Sequence, residues 1–424
     1  MKTSITNIQF FVLKGPQEKR PHWVSNFIVP NANELLVILE TNQGIEGFGL
    51  ATSYTDMSPI VHVIESGISE KILGCNPLEP EMLYQSLFNL TASRLAYEKG
   101  WSREALIRVS AAVDIACWDI IGKISGLPLY QLFGGFRNKI PCYVTCAYYR
   151  EGKDHAELKD EIQMLVDQGH QGFKGKVGGL SLTEDLERME LVREIIGPER
   201  GLMIDVNRAW DLKTAIEGAR LLEPLKPTWL EEPVRWMDDR RELKILAQHT
   251  SIPLSGGESE STSYGCRTMI DEKAIQILQF DCTMFGGFTN GKKLSALCEL
   301  NHLDIAPHHD CYIHAPLVAS SPSGRIVESF DNERDPLQAE LFENPHPLDG
   351  IERVVRVNCL RTSEGIADLE AILRTNCQVP SIMMPKVKGP EEVHGLAETL
   401  KESGLRTEIQ AIIETNEGLE AAYE

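Results

Sequence analysis

The chain has 424 residues, 42% hydrophobic and 25% charged, with a formal net charge of −20. It is long enough for two or three domains with cores of their own, and its acidity argues against nucleic acid or an anionic membrane surface as a partner. A small anionic substrate stays compatible, because local lysines and a metal ion override the global field. The start, Met1-Lys2-Thr3-Ser4, lacks the basic-then-apolar pattern of a signal peptide, and no apolar run is long enough to span a bilayer. The ten cysteines are scattered without zinc-site or disulfide spacing, which points to reduced thiols and a cytoplasmic location.

In chain order, Ile5 to about Ala51 reads as a small antiparallel sheet, with Glu34–Thr41 and Gly44–Gly49 flanking a turn at Asn42-Gln43. Arg20–Ser25 has poor strand character and reads as a mobile loop. Helical periodicity follows from about Pro59 and is clearest from Ala105 to Ile121, where Leu106, Val109, Val113, Ala116, Cys117 and Ile120 keep three-and-four spacing. Gly122, Gly126 and Pro128 close this part. From Cys142 the pattern becomes strand, helix, strand. Strands are expected at Cys142–Tyr148, Gly172–Val177, Leu202–Asn207, Thr228–Glu232, Ile252–Glu258, Ala274–Asp281, His302–His309 and Arg325–Phe330. Amphipathic helices such as His155–Gln168, Leu182–Ile196 and Lys213–Leu222 fit between them, so the fold class is an α/β barrel.

The chemistry concentrates between Phe173 and Glu258, in Phe173-Lys174-Gly175-Lys176, Ile204-Asp205-Val206-Asn207, Trp229-Leu230-Glu231-Glu232-Pro233 and Gly256-Gly257-Glu258. Asp205, Glu231 and Glu258 end three successive parallel strands and converge on one mouth, where their repulsion calls for a cation. Oxygen ligands with no Cys or His favour magnesium. Lys174 and Lys176, two apart on one strand, share a face and place a base beside the metal. Further on, Gln279-Phe280-Asp281 and Pro307-His308-His309 set an aspartate beside a histidine on neighbouring strands, which orients an imidazole and raises its basicity. Val327-Glu328 adds a carboxyl. Taken singly, each motif is more often structural: a solvated lysine pair, a helix start, a satisfied histidine. Their order on seven successive strands has no structural reason. Alternation does not choose between His308 and His309, and Glu260 competes with Glu258.

These residues and their intervals, with Asp114-Ile115-Ala116-Cys117-Trp118-Asp119 and Gly126-Leu127-Pro128-Leu129-Tyr130, resemble the mandelate racemase subgroup of the enolase superfamily from Ile5 to about Gly350. The resemblance implies an α+β capping domain (1–128) and a modified (β/α)7β barrel (129–350) that share one active site. By it, Asp205, Glu231 and Glu258 bind Mg²⁺, and Lys176 and the His308–Asp281 pair are the two acid/base groups. Lys174 steadies the substrate carboxylate, Glu328 donates a hydrogen bond to it, and Asn207 and His22 contact substrate. Loops around His22-Trp23 and Thr52–Thr55 would lie over the mouth. The family spacing favours His308 over His309 and Glu258 over Glu260.

The chemistry so implied is removal of the proton alpha to a carboxylate, with Mg²⁺ stabilising the enediolate. Lys176 must be neutral to act, its pKa lowered by Mg²⁺ and Lys174, and Glu328 must stay protonated. Expulsion of a β-hydroxyl with a proton from His308 makes the protein a dehydratase of an aldonate or aldarate. The alternatives are a racemase or epimerase of a 2-hydroxy acid and a silent binding protein. A homo-oligomer is the family's common state.

Beyond Gly350 the chain departs from that family. Arg353–Asn358, Gly365–Leu369, Ile382–Val387 and Ile412–Thr415 resemble the opening half of the citrate lyase β-chain and HpcH/HpaI aldolase family. That resemblance implies a substrate contact at Arg356 and a magnesium ligand at Glu414. Residues 351–424 then form an incomplete βα unit, read as a fragment of a longer two-enzyme fusion or a gene-model artefact rather than as a working second site.

Overall fold

The computed structural model describes residues 2–16, 18–25, 27–343, 354–356, 360–375, 381–384, 387–403 and 408–411, in two compact units, Met1–Phe342 and Glu343–Glu424. The first unit opens with strands β1 (Ile5–Leu13), β2 (Trp23–Val24), β3 (Phe27–Ile28), β4 (Asn33–Thr41) and β5 (Glu46–Ser53). β1, β4 and β5 form an antiparallel sheet in that order. Leu35, Val37 and Leu39 alternate along β4 and are buried in one core with helices α1 (Ser58–Glu65), α2 (Pro80–Leu90), α3 (Arg94–Lys99) and α4 (Arg103–Ser125). α4 runs past the expected Ala105–Ile121 because its ends are capped: Ser102 accepts from the Ala105 N–H, and Gly126 takes a left-handed conformation after the last turn. The Arg20–Ser25 segment is no plain loop. Trp23 and Val24 pair with Ile28 and Phe27, and Trp23 bridges Tyr149 with the two rings stacked at 4.3 Å. A partner 126 positions away by number supplies what local strand propensity lacks.

Eight parallel strands follow: β6 (Cys142–Cys146), β7 (Gly172–Lys176), β8 (Gly201–Asp205), β9 (Trp229–Glu231), β10 (Leu254–Gly256), β11 (Ile277–Leu278), β12 (Asp304–Ile305) and β13 (Val327–Phe330). Neighbours in sequence are neighbours in the sheet, β13 returns to pair with β6, and an Ile305–Gly324 bridge joins β12 to the segment before β13. With a helix between each successive pair, this is the (β/α)7β barrel. All eight strands lie where expected but are shorter, because the backbone leaves the ladder as it reaches the mouth. Ala147, Asn207, Glu232, Gly257 and His309 all have positive φ, at 52, 46, 37, 121 and 53°. Such strain persists only where surrounding structure over-determines it, and it gathers at functional sites.

Two inward layers show the strand period of two. Tyr143, Met203, Trp229 and Ile277, with Ala306 and Ile326, form an apolar plug. Two residues later on the same strands come Thr145, Asp205, Glu231 and Gln279, all buried. The polar layer therefore rests on a dry, packed floor.

The second unit has three parallel strands, β14 (Val354–Arg356), β15 (Ser381–Met384) and β16 (Glu408–Ala411), in that order, with helices Ser363–Thr375 and Pro390–Glu402 between them. Ile382, Met384, Val387, Leu396 and Leu400 make its core. Glu414 lies outside the described residues, as do Pro345–Gly350.

Candidate active site

The buried layer above the plug is an ion network. Lys174 Nζ lies 2.7 Å from Glu231 Oε1, 2.7 Å from Glu328 Oε1 and 3.7 Å from Asp205 Oδ2, while Lys176 Nζ lies 2.5 Å from Asp205 Oδ2. Glu231 Oε2 accepts from Trp229 Nε1 at 2.8 Å and from Gln279 Nε2 at 2.7 Å, which fixes that carboxylate from below. His308 Nδ1 is 3.0 Å from Asp281 Oδ2, and its Nε2 is 3.6 Å from Glu258 Oε2. Gly257, at φ 121°, turns the chain immediately before Glu258, and a Cβ there would meet Leu278 at 2.9 Å.

A cavity of about 860 Å³ opens above this layer, lined by Lys176, Asn207, Glu258, His308 and Glu328 from the barrel and by Val24, Phe27, Tyr54 and Arg108 from the capping segment. Tyr54 and Thr55 thus put the Thr52–Thr55 loop at the mouth, and Val24–Pro30 does the same for the segment after His22. His22 itself is a correction. It does not line the cavity: its Nδ1 pairs with Glu18 Oε2 at 2.7 Å and its ring meets Tyr148 edge-on. Burial and the nearby Arg150 and Arg334 push its imidazole down to about 3, so it is neutral.

The structure separates the competing residues. His308 joins Asp281 and faces the cavity, whereas His309 Nε2 points to Asp335 Oδ2 at 2.7 Å in a different network. Glu258 stands with His308, and Glu260 is ion-paired with Arg240. A second buried cluster, Glu34, His309 and Asp310, has its ligating atoms within 4.8 Å of one another. Its groups are already bonded: the Thr52 hydroxyl bridges Glu34 and Asp310, and Gln338 Nε2 donates to Asp310 Oδ1 at 2.7 Å.

The chain's own charges, apart from any metal, act the other way on two of the site's groups. Burial opposes the charge on Lys176, yet Asp205 outweighs burial and holds the ammonium above the ordinary lysine range. Burial likewise favours a protonated Glu328, but Lys174, His308 and Lys176, with the His309 N–H at 2.8 Å, hold its carboxyl well below the usual range. Crowding by like charges loses to direct contact with cations. For His308, burial is outweighed by Glu258, Asp281 and Glu328, which raise it to about 9.

Charge counting tests whether a divalent cation suits these residues. Asp205, Glu231, Glu258, Asp281 and Glu328 bring five negative charges, and Lys174, Lys176 and His308 bring at most three positive ones. Fully ionised, the set leaves two over in a buried site, and burial with the Asp205 charge relieves part of this by pushing Glu231 up to about 8, where it keeps a proton. The oxygen donors of Asp205, Glu231 and Glu258 match Mg²⁺ in ligand hardness, and a divalent charge would meet the surplus of the ionised set.

Sequence reasoning missed Trp229, Gln279 and Thr145, whose side chains orient Glu231 and Glu328. Their only signal is position, two residues beyond or beneath an inward-facing neighbour.

Two family models match the chain. "Mandelate racemase / muconate lactonizing enzyme, N-terminal domain" covers residues 7–134 and "Enolase C-terminal domain-like" covers 157–356. Arabinonate dehydratase of Saccharolobus solfataricus is 30% identical over 325 residues, 75% of this chain and 84% of that protein. L-talarate/galactarate dehydratase of Salmonella typhimurium is 29% identical over 300 residues, 70% of this chain and 73% of that protein. The solved structure of L-talarate dehydratase from a Polaromonas species, complexed with Mg and L-glucarate, matches with a TM-score of 0.70 at 27% identity, over 81% of this chain and 89% of that one. The chain belongs to the mandelate racemase/muconate lactonizing enzyme family of the enolase superfamily.

Proposed function

We propose that this protein is a Mg²⁺-dependent lyase that dehydrates a sugar acid to its 2-keto-3-deoxy acid. The observation that carries the reading is the placing, on the wall of one cavity, of Lys176 and of a His308 that Asp281 holds at 3.0 Å, two acid/base groups from different strands. Asp205, Glu231 and Glu258 hold the metal. When bound, Mg²⁺ offsets the surplus carboxylate charge, loosens the hold of Asp205 on Lys176 and steadies the charge that develops on the substrate carboxylate. Lys176 then takes the C2 proton, with Asn207 on the cavity wall holding the carboxylate end, Lys174 adding its charge from beneath, and Glu328, an anion, keeping Lys174 and His308 charged. The C2 electron pair forms a C2–C3 double bond as the C3–O bond breaks. His308 gives its proton to the departing hydroxyl, which leaves as water, and the enol becomes the 2-keto-3-deoxy acid. The same pair would serve a racemase with His308 as the second base, and the dehydratases among the relatives favour donation instead.

The domain division 1–128, 129–350 and 351–424 fits this reading, as do a homo-oligomeric enzyme, a cytoplasmic location and no nucleic-acid partner. No described helix is long and apolar enough to cross a membrane. For the second unit, the β14-helix-β15-helix-β16 arrangement supports an aldolase-like βα segment.

Proton NMR with Mg²⁺ and a panel of aldonic and aldaric acids in D₂O tests the reaction. Signals of a 3-deoxy-2-keto product are expected. Loss of the C2 proton signal with no dehydrated product would overturn dehydration in favour of epimerisation.

A further inference from the structure

One buried cation of the cavity is neither used by the dehydration chemistry nor paired with a carboxylate. Arg334, four residues past β13, lines it and is only 6% exposed. Among the described residues no carboxylate forms an ion pair with it. Its neighbours in sequence are engaged elsewhere: Glu333 with Arg150 at 3.0 Å and Asp335 with His309 at 2.7 Å. Glu18 acts on Arg334 only at a distance: its Oε2 contacts His22 at 2.7 Å, and it makes no ion pair with the guanidinium. The guanidinium's direct acceptors are neutral, Asn31 Oδ1 at 3.2 Å, the Pro30 carbonyl at 3.4 Å and the Tyr148 hydroxyl, and its buried Nε has no partner. The other inner arginines of the cavity differ. Arg208 is paired with Glu232 at 3.1 Å, and Arg108 with Glu104 at 3.0 Å.

A buried cation left without an anion is costly unless something supplies one. A simple clamp between the barrel and the Pro30-Asn31 segment needs hydrogen bonds, which an amide would provide without the charge. Arg334 also stands beside the reacting groups: its Cζ lies 5.2 Å from the Tyr148 ring centre, and Lys176 Nζ lies 5.3 Å from the same centre. The proposed base and the unpaired guanidinium therefore lie against one aromatic ring and line one cavity, within reach of the two ends of a short sugar-acid chain. A planar fork of N–H donors suits a carboxylate better than a hydroxyl.

We propose that Arg334 binds the distal carboxylate of the substrate, so that the enzyme acts on a diacid, an aldarate, in preference to the matching aldonate. This rests on the sugar-acid reading above. Binding is measured calorimetrically in the Lys176→Met background, with Mg²⁺ and without turnover, using an aldarate and the aldonate of the same configuration. The expected result is a preference for the diacid of about tenfold to a hundredfold, lost when Arg334→Gln is added. Asn31→Ala, which removes one clamp contact but leaves the charge, is expected to keep the preference. Equal affinity for the two acids, or an Arg334→Gln effect that weakens both alike, overturns the proposal. Selective binding of the diacid by this background while the wild-type protein dehydrates neither acid would instead sink the dehydratase reading and leave the Arg334 assignment standing.

Discussion

Adjacent residues His308 and His309 belong to two buried polar clusters that look alike on paper and differ in kind. The mouth cluster carries five carboxylates against three bases and faces a cavity. The cluster behind it, at the seam between capping segment and barrel, ties Glu34, Thr52, Asp310, Thr283, His309, Asp335 and Gln338 into mutual bonds. In the seam, burial and the Asp310 charge raise Glu34 well above the carboxylate range, so it holds a proton and the network closes on itself. In the seam every charged group is met by another group of the same cluster, His309 standing between Asp310 and Asp335, whereas Lys176, Glu258, His308 and Glu328 of the mouth face open space. Access to a cavity, more than burial or residue type, separates a site built for a ligand from a polar joint.

That contrast is broken most sharply at Lys176. Lys176→Met is expected to lower dehydration by about 10⁴-fold, with solvent exchange of the C2 proton falling equally, since one group serves both. His308→Asn is expected to lower dehydration by about 10²–10³-fold while C2 exchange into D₂O persists, because Lys176 still abstracts the proton. NMR of a single sample reads both quantities. Equal loss of exchange and dehydration in His308→Asn would contradict the division of labour.

A third test addresses the metal directly. At about a hundred times its Kd, Mg²⁺ should stabilise the wild-type protein by about 2.7 kcal/mol, read as a rise in melting temperature. Glu231→Gln is expected to abolish that rise. Thr52→Val, in the seam, is expected to lower the baseline by about 1–3 kcal/mol and to keep the rise intact. A reduced rise in Thr52→Val would mean the two clusters are not independent.

The two clusters were unequally legible. Asp205, Glu231, Glu258, Asp281 and Glu328 could be placed from spacing because each follows a short β-rich run, and a parallel barrel sends every such end to one mouth. The seam was invisible because its members come from positions 34, 52, 283, 309 and 338, brought together only by the cap closing on the barrel. His22 was misplaced for the same reason: nothing local shows that Glu18 would hold it or that Tyr148 would stand between it and the cavity. The ionisation that the chain's own charges give Lys176 and Glu328 was not legible, because sequence gives the charges near a site but not which pairs touch, and a 2.5 Å contact outweighs several more distant charges.

The smallest effect sharpens the seam side. Asp114 of α4 is buried against the barrel, its Oδ2 accepting from the Thr289 N–H at 2.9 Å, and a Cβ on Gly287 would meet that oxygen at 2.2 Å. Burial pushes its carboxyl up to about 7, from an unfolded value of 3.8. The folded protein therefore keeps a proton that the unfolded chain gives up. Stability is full below the unfolded value, falls as pH rises toward 7 and is flat beyond it. Between pH 6 and pH 8 the loss is about 1.4 kcal/mol, measurable by urea unfolding at fixed ionic strength. Asp114→Asn is expected to remove that fall, since a neutral amide carbonyl accepts from Thr289 at every pH. A variant whose stability still declines by the same amount would place the titrating proton elsewhere in the seam, with Glu34 the next group to substitute.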